Sequence, residues 1–361
     1  MRSLNHDFLN KINPVVRNIS AYDLKQLPYR IKLNQNENPY EIPASVKKQI
    51  LDDIQNQPWR IYPEFKPTRL IQALSKFYHW PSTGVLVGNG SNEMIIATLM
   101  AALAPGKCVA IPIPTFSLYK HFSQILGAKV LEIPLTADLQ FDKNALIRTS
   151  RRQDVDVLII NTPNNPTGCY LSPAEIHKIV KGTRSLVILD QAYQDFASSP
   201  GNTLLAKEKN VIVLRTFSKA LGLAGVRIGC LMTSPKLCQE INKCRLPYNI
   251  GIFPQRVTEY LLKNPLEREK KIDRIIKERA RVFKALKKIR NLEVFPSQAN
   301  FILIRVFDSQ KIFNELLRCG ILIRDVSHYP MLKKCLRFSI GLPRENDQLI
   351  RILQRSCMKS P

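Results

Sequence analysis

Short apolar segments alternate with amphipathic segments between about residues 85 and 235, and this alternation limits the fold more than any other feature of the sequence. Near-continuous apolar runs predict strands at 108–112, 130–133, 155–161, 186–190, 211–215 and 227–232. Helices are predicted between them at 93–103, 116–126 and 173–181. Such alternation is typical of an α/β fold with a mostly parallel sheet covered by helices on both faces. Ligands of these sheets bind at the carboxyl ends of the strands.

The pattern changes after about residue 250, which suggests a second structural unit. Helical segments from about 255 to 290 precede short apolar strands and two further helices, which together predict a smaller α+β unit. We therefore predict an N-terminal arm at 1–35 that packs with a small C-terminal domain at 256–361. A large domain is predicted at 36–255.

Composition excludes several classes of protein. The chain has 361 residues with 45% apolar content, and no apolar run approaches the length needed to cross a bilayer. The N-terminal residues have no hydrophobic signal core. Eight scattered cysteines form no CxxC motif and no cluster with metal-ligand spacing, as expected for buried thiols in a reducing compartment. We predict a cytoplasmic protein without a membrane segment or a metal.

The formal net charge of +25 is unusual and raises the question of nucleic-acid binding. The densest basic patch, 268–290, has apolar residues at helical spacing, so we interpret it as the solvated face of an amphipathic helix. We find no helix-turn-helix, zinc-finger or RNP-like motif and predict no nucleic-acid partner. Adventitious polyanion binding stays open, as does a positive field that attracts anionic substrates.

A lysine follows the predicted strand at 211–215, in the segment Arg215-Thr216-Phe217-Ser218-Lys219. Its amine can form a Schiff base with an aldehyde cofactor, provided that the surroundings lower its pKa. Ser218 and Arg227 can hold the phosphate of such a cofactor. The glycine turn at 88–92 supplies Ser91 and Asn92 at a helix start, where they either bind phosphate or cap the helix.

Three further segments supply groups for an aromatic cofactor ring. Asp190 ends an apolar strand, where a carboxylate is unfavourable unless paired; a protonated ring nitrogen would pair it, and an N-cap is the alternative. Asn165 lies in a turn-forming segment and can donate to a phenolate oxygen, which Tyr193 can also reach. Phe116 either stacks on the ring or belongs to the core.

In this order and on strand ends, these residues resemble the fold-type I pyridoxal-phosphate aminotransferases. Lys32-Leu33-Asn34-Gln35-Asn36-Glu37-Asn38-Pro39, Ile61-Tyr62-Pro63-Glu64 and Phe295-Pro296-Ser297-Gln298-Ala299-Asn300-Phe301 narrow the resemblance to histidinol-phosphate aminotransferases. The resemblance implies pyridoxal 5'-phosphate as cofactor and Lys219, Asp190 and Tyr193 as catalytic residues. It also implies a homodimer with shared sites, in which Tyr62 reaches the cofactor phosphate of the partner subunit.

The resemblance further implies that the chain exchanges an amino group between glutamate and histidinol phosphate, both anionic. Arg337 is expected to bind the α-carboxylate of glutamate or part of the substrate phosphate, and Arg324 the distal carboxylate or the phosphate. Guanidinium groups bind both anions through paired hydrogen bonds. Asn165 and Tyr22 complete the expected substrate-binding set.

The sequence departs from the family pattern at Ile61, Phe116 and Gln191, which stand where arginine, tyrosine and glutamate are usual. Because side chains alternate along a strand, Gln191 should point away from a ring that Asp190 faces. Aromatic amino acid aminotransferases and threonine-phosphate decarboxylases on the same scaffold stay open as alternatives. A pyridoxal-phosphate-sensing, nucleic-acid-binding regulator is the alternative outside the enzymes.

Overall fold

The computed structural model describes residues 8–21, 26–199, 208–263 and 265–358. Its strands are β1 (Ile31–Lys32), β2 (Val85–Asn89), β3 (Cys108–Ile113), β4 (Lys129–Pro134), β5 (Val157–Asn161), β6 (Leu186–Asp190), β7 (Val211–Thr216), β8 (Ile228–Met232), β9 (Leu292–Val294), β10 (Phe301–Val306), β11 (Ile321–Leu322), β12 (Arg324–Asp325) and β13 (Cys335–Ser339). Its α-helices are α1 (Pro14–Asn18), α2 (Ala44–Gln55), α3 (Thr68–Tyr78), α4 (Gly90–Ala102), α5 (Leu118–Ile125), α6 (Lys143–Ser150), α7 (Pro173–Val180), α8 (Pro235–Asn242), α9 (Ile252–Leu262), α10 (Pro265–Leu286), α11 (Ser309–Arg318) and α12 (Pro343–Met358).

A seven-stranded sheet in the order β2-β8-β7-β6-β5-β3-β4 forms the centre of the fold. Strand β8 runs antiparallel to both of its neighbours, and the other neighbouring pairs are parallel. The predicted mostly parallel α/β sheet is therefore confirmed. The last residues of β5 and β6, Asn161 and Asp190, are register partners, so these strands end side by side.

Both faces of this sheet are buried, which explains why its strands are apolar throughout. In β5, Leu158 and Ile160 belong to one core cluster, whereas Val157 and Ile159 belong to another. Successive side chains of a strand point to opposite faces, so the two clusters occupy the two sides of the sheet. A sheet buried in this way leaves its carboxyl edge as the place where polar groups can meet a ligand.

A second, antiparallel sheet has the order β12-β13-β10-β9. Strand β1 pairs in parallel with β11. The segment that follows β1 lies beside β13. There the hydroxyl of Ser339 accepts a hydrogen bond of 2.8 Å from the backbone N–H of Asn36. The chain near residue 36 thus reaches the region where the two sheets meet. The predicted division at 36–255 and 256–361 stays a prediction.

Helix α10 contains the densest basic stretch of the sequence. Ile272, Ile275, Val282 and Leu286 are buried along one side. Basic residues are exposed between them, at Lys270, Arg274, Lys277 and Lys284. The predicted amphipathic helix is confirmed, and most of its basic side chains are exposed. The exceptions include Arg279, which is buried and donates to the carbonyl oxygens of Phe196 and Ala299, and Arg268, which pairs with Asp195.

The sequence did not predict α1, α2, α3, α6 or α8. In α2 only Ile50 and Ile54 are buried, so its apolar periodicity is weak. Among the described residues, no helix is long and apolar enough to cross a membrane.

Candidate active site

A cavity of about 440 Å³ lies where the carboxyl ends of β5 and β6 meet β12 and β13. Eleven of the predicted site residues line it: Ser91, Asn92, Phe116, Asn165, Asp190, Tyr193, Ser218, Lys219, Arg227, Arg324 and Arg337. They come from segments separated by up to 246 positions in the sequence, from Ser91 to Arg337, so only the fold brings them together. The cavity is the candidate active site.

Lys219 lies in the turn that follows β7. Its Nζ donates a hydrogen bond of 2.7 Å to the carbonyl oxygen of Gln35. Burial, and then the positive charge of Arg337, lower the pKa of Lys219 to about 7, although Glu37 acts in the opposite direction. A substantial fraction of the amine is therefore neutral near physiological pH, as a nucleophile or a general base requires.

Asp190 ends β6 at the cavity with only 3% of its surface exposed. Its Oδ2 accepts a hydrogen bond of 2.6 Å from the hydroxyl of Tyr119, and its Oδ1 accepts one of 3.0 Å from the N–H of Ala192. Burial raises the pKa of Asp190, and the hydrogen bonds from Tyr119 and Ala192 oppose that rise. These donors stabilise a carboxylate that can pair with a cationic ring nitrogen.

Gln191 faces away from the cavity, as predicted from strand alternation. It is buried, and its Oε1 accepts a hydrogen bond of 3.4 Å from Arg215. Arg215 in turn forms an ion pair of 3.0 Å with Asp195, which Arg268 of α10 also contacts at 2.7 Å. The glutamine therefore belongs to a buried polar network outside the cavity.

Asn165 and Tyr193 are held by partners on distant segments. The Oδ1 of Asn165 accepts a hydrogen bond from the guanidinium of Arg337, so its Nδ2 is the donor that remains for a cofactor oxygen. The backbone N–H of Asn165 donates to Asn161 Oδ1 at 2.8 Å. The hydroxyl of Tyr193 accepts a hydrogen bond of 2.9 Å from Asn36 Nδ2. Both side chains are thus oriented before any ligand binds.

The start of α4 forms an anion cradle with Ser218 and Arg227. A Cβ atom at Gly90 would lie 2.6 Å from Arg227 Nη2, so the glycine permits the close approach of the guanidinium. Arg227 Nη1 lies 3.4 Å from the hydroxyl of Ser218. A helix N-terminus, a guanidinium and a hydroxyl together provide the donors that a phosphate needs.

The alternative that Ser91 or Asn92 caps α4 is wrong. The helix begins at Gly90 with Asn89 as its N-cap, so both residues lie inside the first turn. Glu93 Oε2 instead accepts a hydrogen bond of 2.5 Å from the N–H of Asn89. The helix begins three residues ahead of the predicted boundary, and Gly90 at its start has a φ of +73°, which glycine adopts readily.

Arg324 and Arg337 lie directly opposite each other on β12 and β13. Opposite residues of an antiparallel pair share one face of the sheet, where like charges repel. Arg337 is buried, and its Nη2 donates a hydrogen bond of 2.8 Å to the carbonyl oxygen of Asn34. Within the described part of the chain, Arg324 forms no ion pair. Two cations on one cavity wall predict an anionic ligand.

The sequence is similar over nearly its whole length to enzymes of one family. The model of the aminotransferase class I and II family matches residues 29–353. A histidinol-phosphate aminotransferase of Chlorobium limicola is 39% identical over 353 residues, which are 97% of this chain and 99% of that protein. The chain belongs to the histidinol-phosphate aminotransferase family. A further relative of that name, from Chlorobaculum parvum, is 39% identical over 98% of this chain and 100% of its own.

Two solved structures share the fold of this aminotransferase. A histidinol-phosphate aminotransferase from Sinorhizobium meliloti in complex with pyridoxal-5'-phosphate has a TM-score of 0.86 at 21% identity, covering 96% of this chain and 98% of its own. An L-threonine-O-3-phosphate decarboxylase from Porphyromonas gingivalis has a TM-score of 0.80 at 22% identity, covering 91% of this chain and 100% of its own. Because both reactions share the fold, the fold alone does not assign the substrate.

The cavity of this aminotransferase fits the cofactor that the resemblance implies. The anion cradle formed by the close approach of Arg227 to Gly90, a buried carboxylate and an amine of lowered pKa all line the same cavity. Phe116 also lines it and meets the ring of Tyr119 edge to face, with centroids 5.5 Å apart. The donor set therefore matches a ring that carries a phosphate, an aldehyde and a basic nitrogen.

Two predicted residues lie elsewhere. Tyr62 is outside the cavity with 78% of its surface exposed, and its ring stacks on Tyr248 with centroids 4.7 Å apart. Its predicted contact with a partner subunit stays a prediction. Tyr22 lies outside the described residues.

Sequence reasoning missed the contributions of Gln35, Asn36 and Tyr119. Asn36 belongs to the segment from Lys32 to Pro39, which pointed to the family without indicating a contact with Tyr193. Tyr119 follows Phe116 by three residues, a spacing that would place both on one face of the helix predicted at 116–126, although α5 begins only at Leu118. That spacing was the available signal for Tyr119.

Proposed function

We propose that this aminotransferase exchanges an amino group between glutamate/2-oxoglutarate and histidinol phosphate/imidazole acetol phosphate, with pyridoxal 5'-phosphate as cofactor. The observation that carries the proposal is the pair Arg324 and Arg337, two facing cations in the cavity that holds Lys219. Both partner substrates bring anions, a carboxylate in one case and a phosphate in the other. The names of relatives at 36–39% identity support the same reaction.

The chain's own groups are assigned to the cofactor one by one. Asp190 pairs with the ring nitrogen, Asn165 and Tyr193 bind the phenolate oxygen, and Phe116 stacks on the ring. The phosphate is bound by the first turn of α4 and by the side chains Ser91, Asn92, Ser218 and Arg227. When bound, the cofactor supplies an electron sink for the pair released when the substrate Cα–H bond breaks.

Lys219 moves the proton. With a pKa of about 7, its Nζ accepts the proton released from the substrate Cα and returns it during amino transfer. The carbonyl oxygen of Gln35, 2.7 Å away in this structure, orients the amine. The two substrates react in turn at one site, so ping-pong kinetics follow.

Substrate anions are assigned to the two facing arginines. Arg337 binds the α-carboxylate of glutamate or part of the substrate phosphate, and Arg324 binds the distal carboxylate or the phosphate. Arg337 also contacts Asn165, which connects anion binding to the residue assigned to the phenolate oxygen. Tyr22 is proposed as a further phosphate contact.

The homodimer belongs to the proposal. Exposed aromatic side chains surround Tyr62: Trp59 is 73% exposed, Phe65 is 54% exposed and Tyr248 is 44% exposed. An apolar patch of this kind is unfavourable in water and typical of an interface. If a second copy of the chain covers this patch, Tyr62 of each copy would reach the anion cradle of the other. The eight free cysteines support a cytoplasmic location.

The test is a comparison of kcat/KM for histidinol phosphate, phenylalanine, tyrosine and phosphothreonine with the purified holoenzyme. Histidinol phosphate should exceed the aromatic amino acids at least ~10-fold, because only it supplies a phosphate to the two arginines. Equal or higher values for phenylalanine would replace the proposal with an aromatic aminotransferase. Release of carbon dioxide from phosphothreonine would replace it with the decarboxylase.

A further inference from the structure

Tyr119 connects two groups assigned to the cofactor ring without being assigned a role itself. It lies on α5 with 1% of its surface exposed, and it borders the cavity. Its hydroxyl donates to Asp190 Oδ2 at 2.6 Å, and its ring packs edge to face on Phe116. One side chain thus contacts both the carboxylate and the aromatic wall.

We propose that Tyr119 is a positioning residue for the cofactor: its hydroxyl holds the Asp190 carboxylate in orientation, and through it sets how tightly the ring nitrogen is bound. Tyr119 acts through Asp190. The inference rests on the cofactor assignment of the proposed function and is independent of the amino-acid substrate.

The contacts around Asp190 define what Tyr119 contributes. Oδ1 accepts a hydrogen bond from the N–H of Ala192, and Oδ2 accepts one from the Tyr119 hydroxyl. A donor on each oxygen fixes the plane of the carboxylate, and the remaining lone pairs are available to a ring N–H. Removal of the hydroxyl leaves Oδ2 buried without this donor, and a buried acceptor that loses its partner is destabilised.

The position of Tyr119 is itself determined by local structure. The Ser123 hydroxyl donates to the Tyr119 carbonyl oxygen at 2.7 Å one helical turn later. The backbone of β6 is tied to β5, because Asn161 Nδ2 donates to the Asp190 carbonyl oxygen at 3.1 Å. Both ends of the hydrogen bond between Tyr119 and Asp190 are therefore fixed to regular elements, as a preorganised site requires.

The experiment measures the dissociation constant of pyridoxal 5'-phosphate for the cofactor-free full-length protein, with no substrate present. Tyr119→Phe removes one oxygen and keeps the ring that packs on Phe116. It should weaken binding ~10-fold, as expected for a lost hydrogen bond to a charged group. The matched control is Tyr170→Phe, which removes a hydroxyl bonded to the Ser199 carbonyl oxygen outside the cavity. The control should bind as the unmodified protein does.

A double-mutant cycle separates action through Asp190 from loss of packing. In an Asp190→Asn background, Tyr119→Phe should change the dissociation constant less than ~2-fold, because the group through which Tyr119 acts is already altered. The visible band of the bound cofactor should shift in Tyr119→Phe and stay constant in Tyr170→Phe.

Two results would overturn the proposal. One is a Tyr119→Phe protein that binds the cofactor with unchanged affinity and spectrum. The other is the same ~10-fold loss with and without Asp190, which would assign Tyr119 to packing alone. Failure of the proposed substrate leaves these binding measurements unaffected, whereas a protein that binds no pyridoxal 5'-phosphate in any form would end both proposals.

Discussion

The Nζ of Lys219 lies 2.7 Å from the carbonyl oxygen of Gln35, a residue 184 positions earlier in the chain. The same N-terminal segment places Asn36 on the hydroxyl of Tyr193 and offers the carbonyl oxygen of Asn34 to Arg337. Three consecutive residues after β1 therefore contact the proposed base, a proposed cofactor ligand and a proposed substrate ligand. The pairing of β1 with β11 fixes this segment, so the arm is part of the site.

The reactivity of Lys219 should titrate near neutral pH. Its pKa is about 7, so the neutral and reactive form accumulates as the pH rises through 7. Acetylation of Lys219 by trace acetic anhydride in the cofactor-free protein, followed by peptide mass spectrometry, should level off above about pH 8. The exposed Lys178 provides an internal reference in the same digest.

Arg337→Gln should move this titration to higher pH, because the charge of Arg337 is the second cause of the lowered pKa. A rate of Lys219 modification that still rises steeply between pH 9 and 10 would show that the pKa of Lys219 is not lowered.

The residues at the strand ends could be predicted from the sequence, because apolar runs mark the strands and the ends of the strands mark the edge of the sheet. Asp190 and Asn165 follow apolar runs, and parallel strands deliver such residues to one edge. The contact of Asn36 with Tyr193 bridges 157 positions and depends on β1 pairing with β11. Two-residue strands have no periodicity to detect, so this part of the site was not predictable from pattern.

The two facing arginines should dominate substrate affinity. Arg324→Ala should lower kcat/KM for histidinol phosphate by ~10–100-fold, since a charge-assisted hydrogen bond to the anion is lost. Arg337→Lys keeps the charge but loses the planar guanidinium with its paired donors, so kcat/KM for histidinol phosphate should fall here as well. Steady-state kinetics check both variants, with the exposed Arg344→Ala as control. Unchanged kinetics in Arg324→Ala would remove that residue from the site.

A mixed-subunit experiment tests whether Tyr62 serves the partner's site. Lys219→Ala and Tyr62→Ala proteins should each have low activity, and hybrids of the two should regain it. If Tyr62 acts across the interface, one site of each hybrid contains both intact residues. Activity of a mixture that never exceeds the sum of its separate components would show that Tyr62 acts within its own chain or has no role.

Asp195 should be important for stability, although it lies outside the cavity. It is the ion-pair partner of both Arg215 and Arg268, and Arg215 is only 6% exposed. Asp195→Ala leaves buried guanidinium groups without their counter-charge, which should reduce the free energy of unfolding by about 3 kcal/mol or more. Thermal and urea denaturation measure the change. Asp154→Ala, which breaks an exposed pair with Arg152, should leave the Tm unchanged.

The buried network around Asp195 was only partly predictable from the sequence. The strand pattern predicted that Gln191 faces away from Asp190, and the structure agrees. The polar network around Gln191 was not predictable, because Arg215 and Asp195 come from other segments of the chain and Arg268 comes from α10. Charged residues at apolar strand ends give no indication of which distant charge will neutralise them.

Amino transfer through Lys219 is tested most directly by a single half-reaction. The holoenzyme is mixed with histidinol phosphate in the absence of any oxo acid, and the visible absorbance of the bound cofactor is followed by stopped flow. We expect one equivalent of imidazole acetol phosphate per site, loss of that absorbance, and its return on addition of 2-oxoglutarate. Lys219→Ala should give neither product nor recovery. A spectrum that histidinol phosphate leaves unchanged, or a Lys219→Ala protein that completes the cycle, would contradict the account.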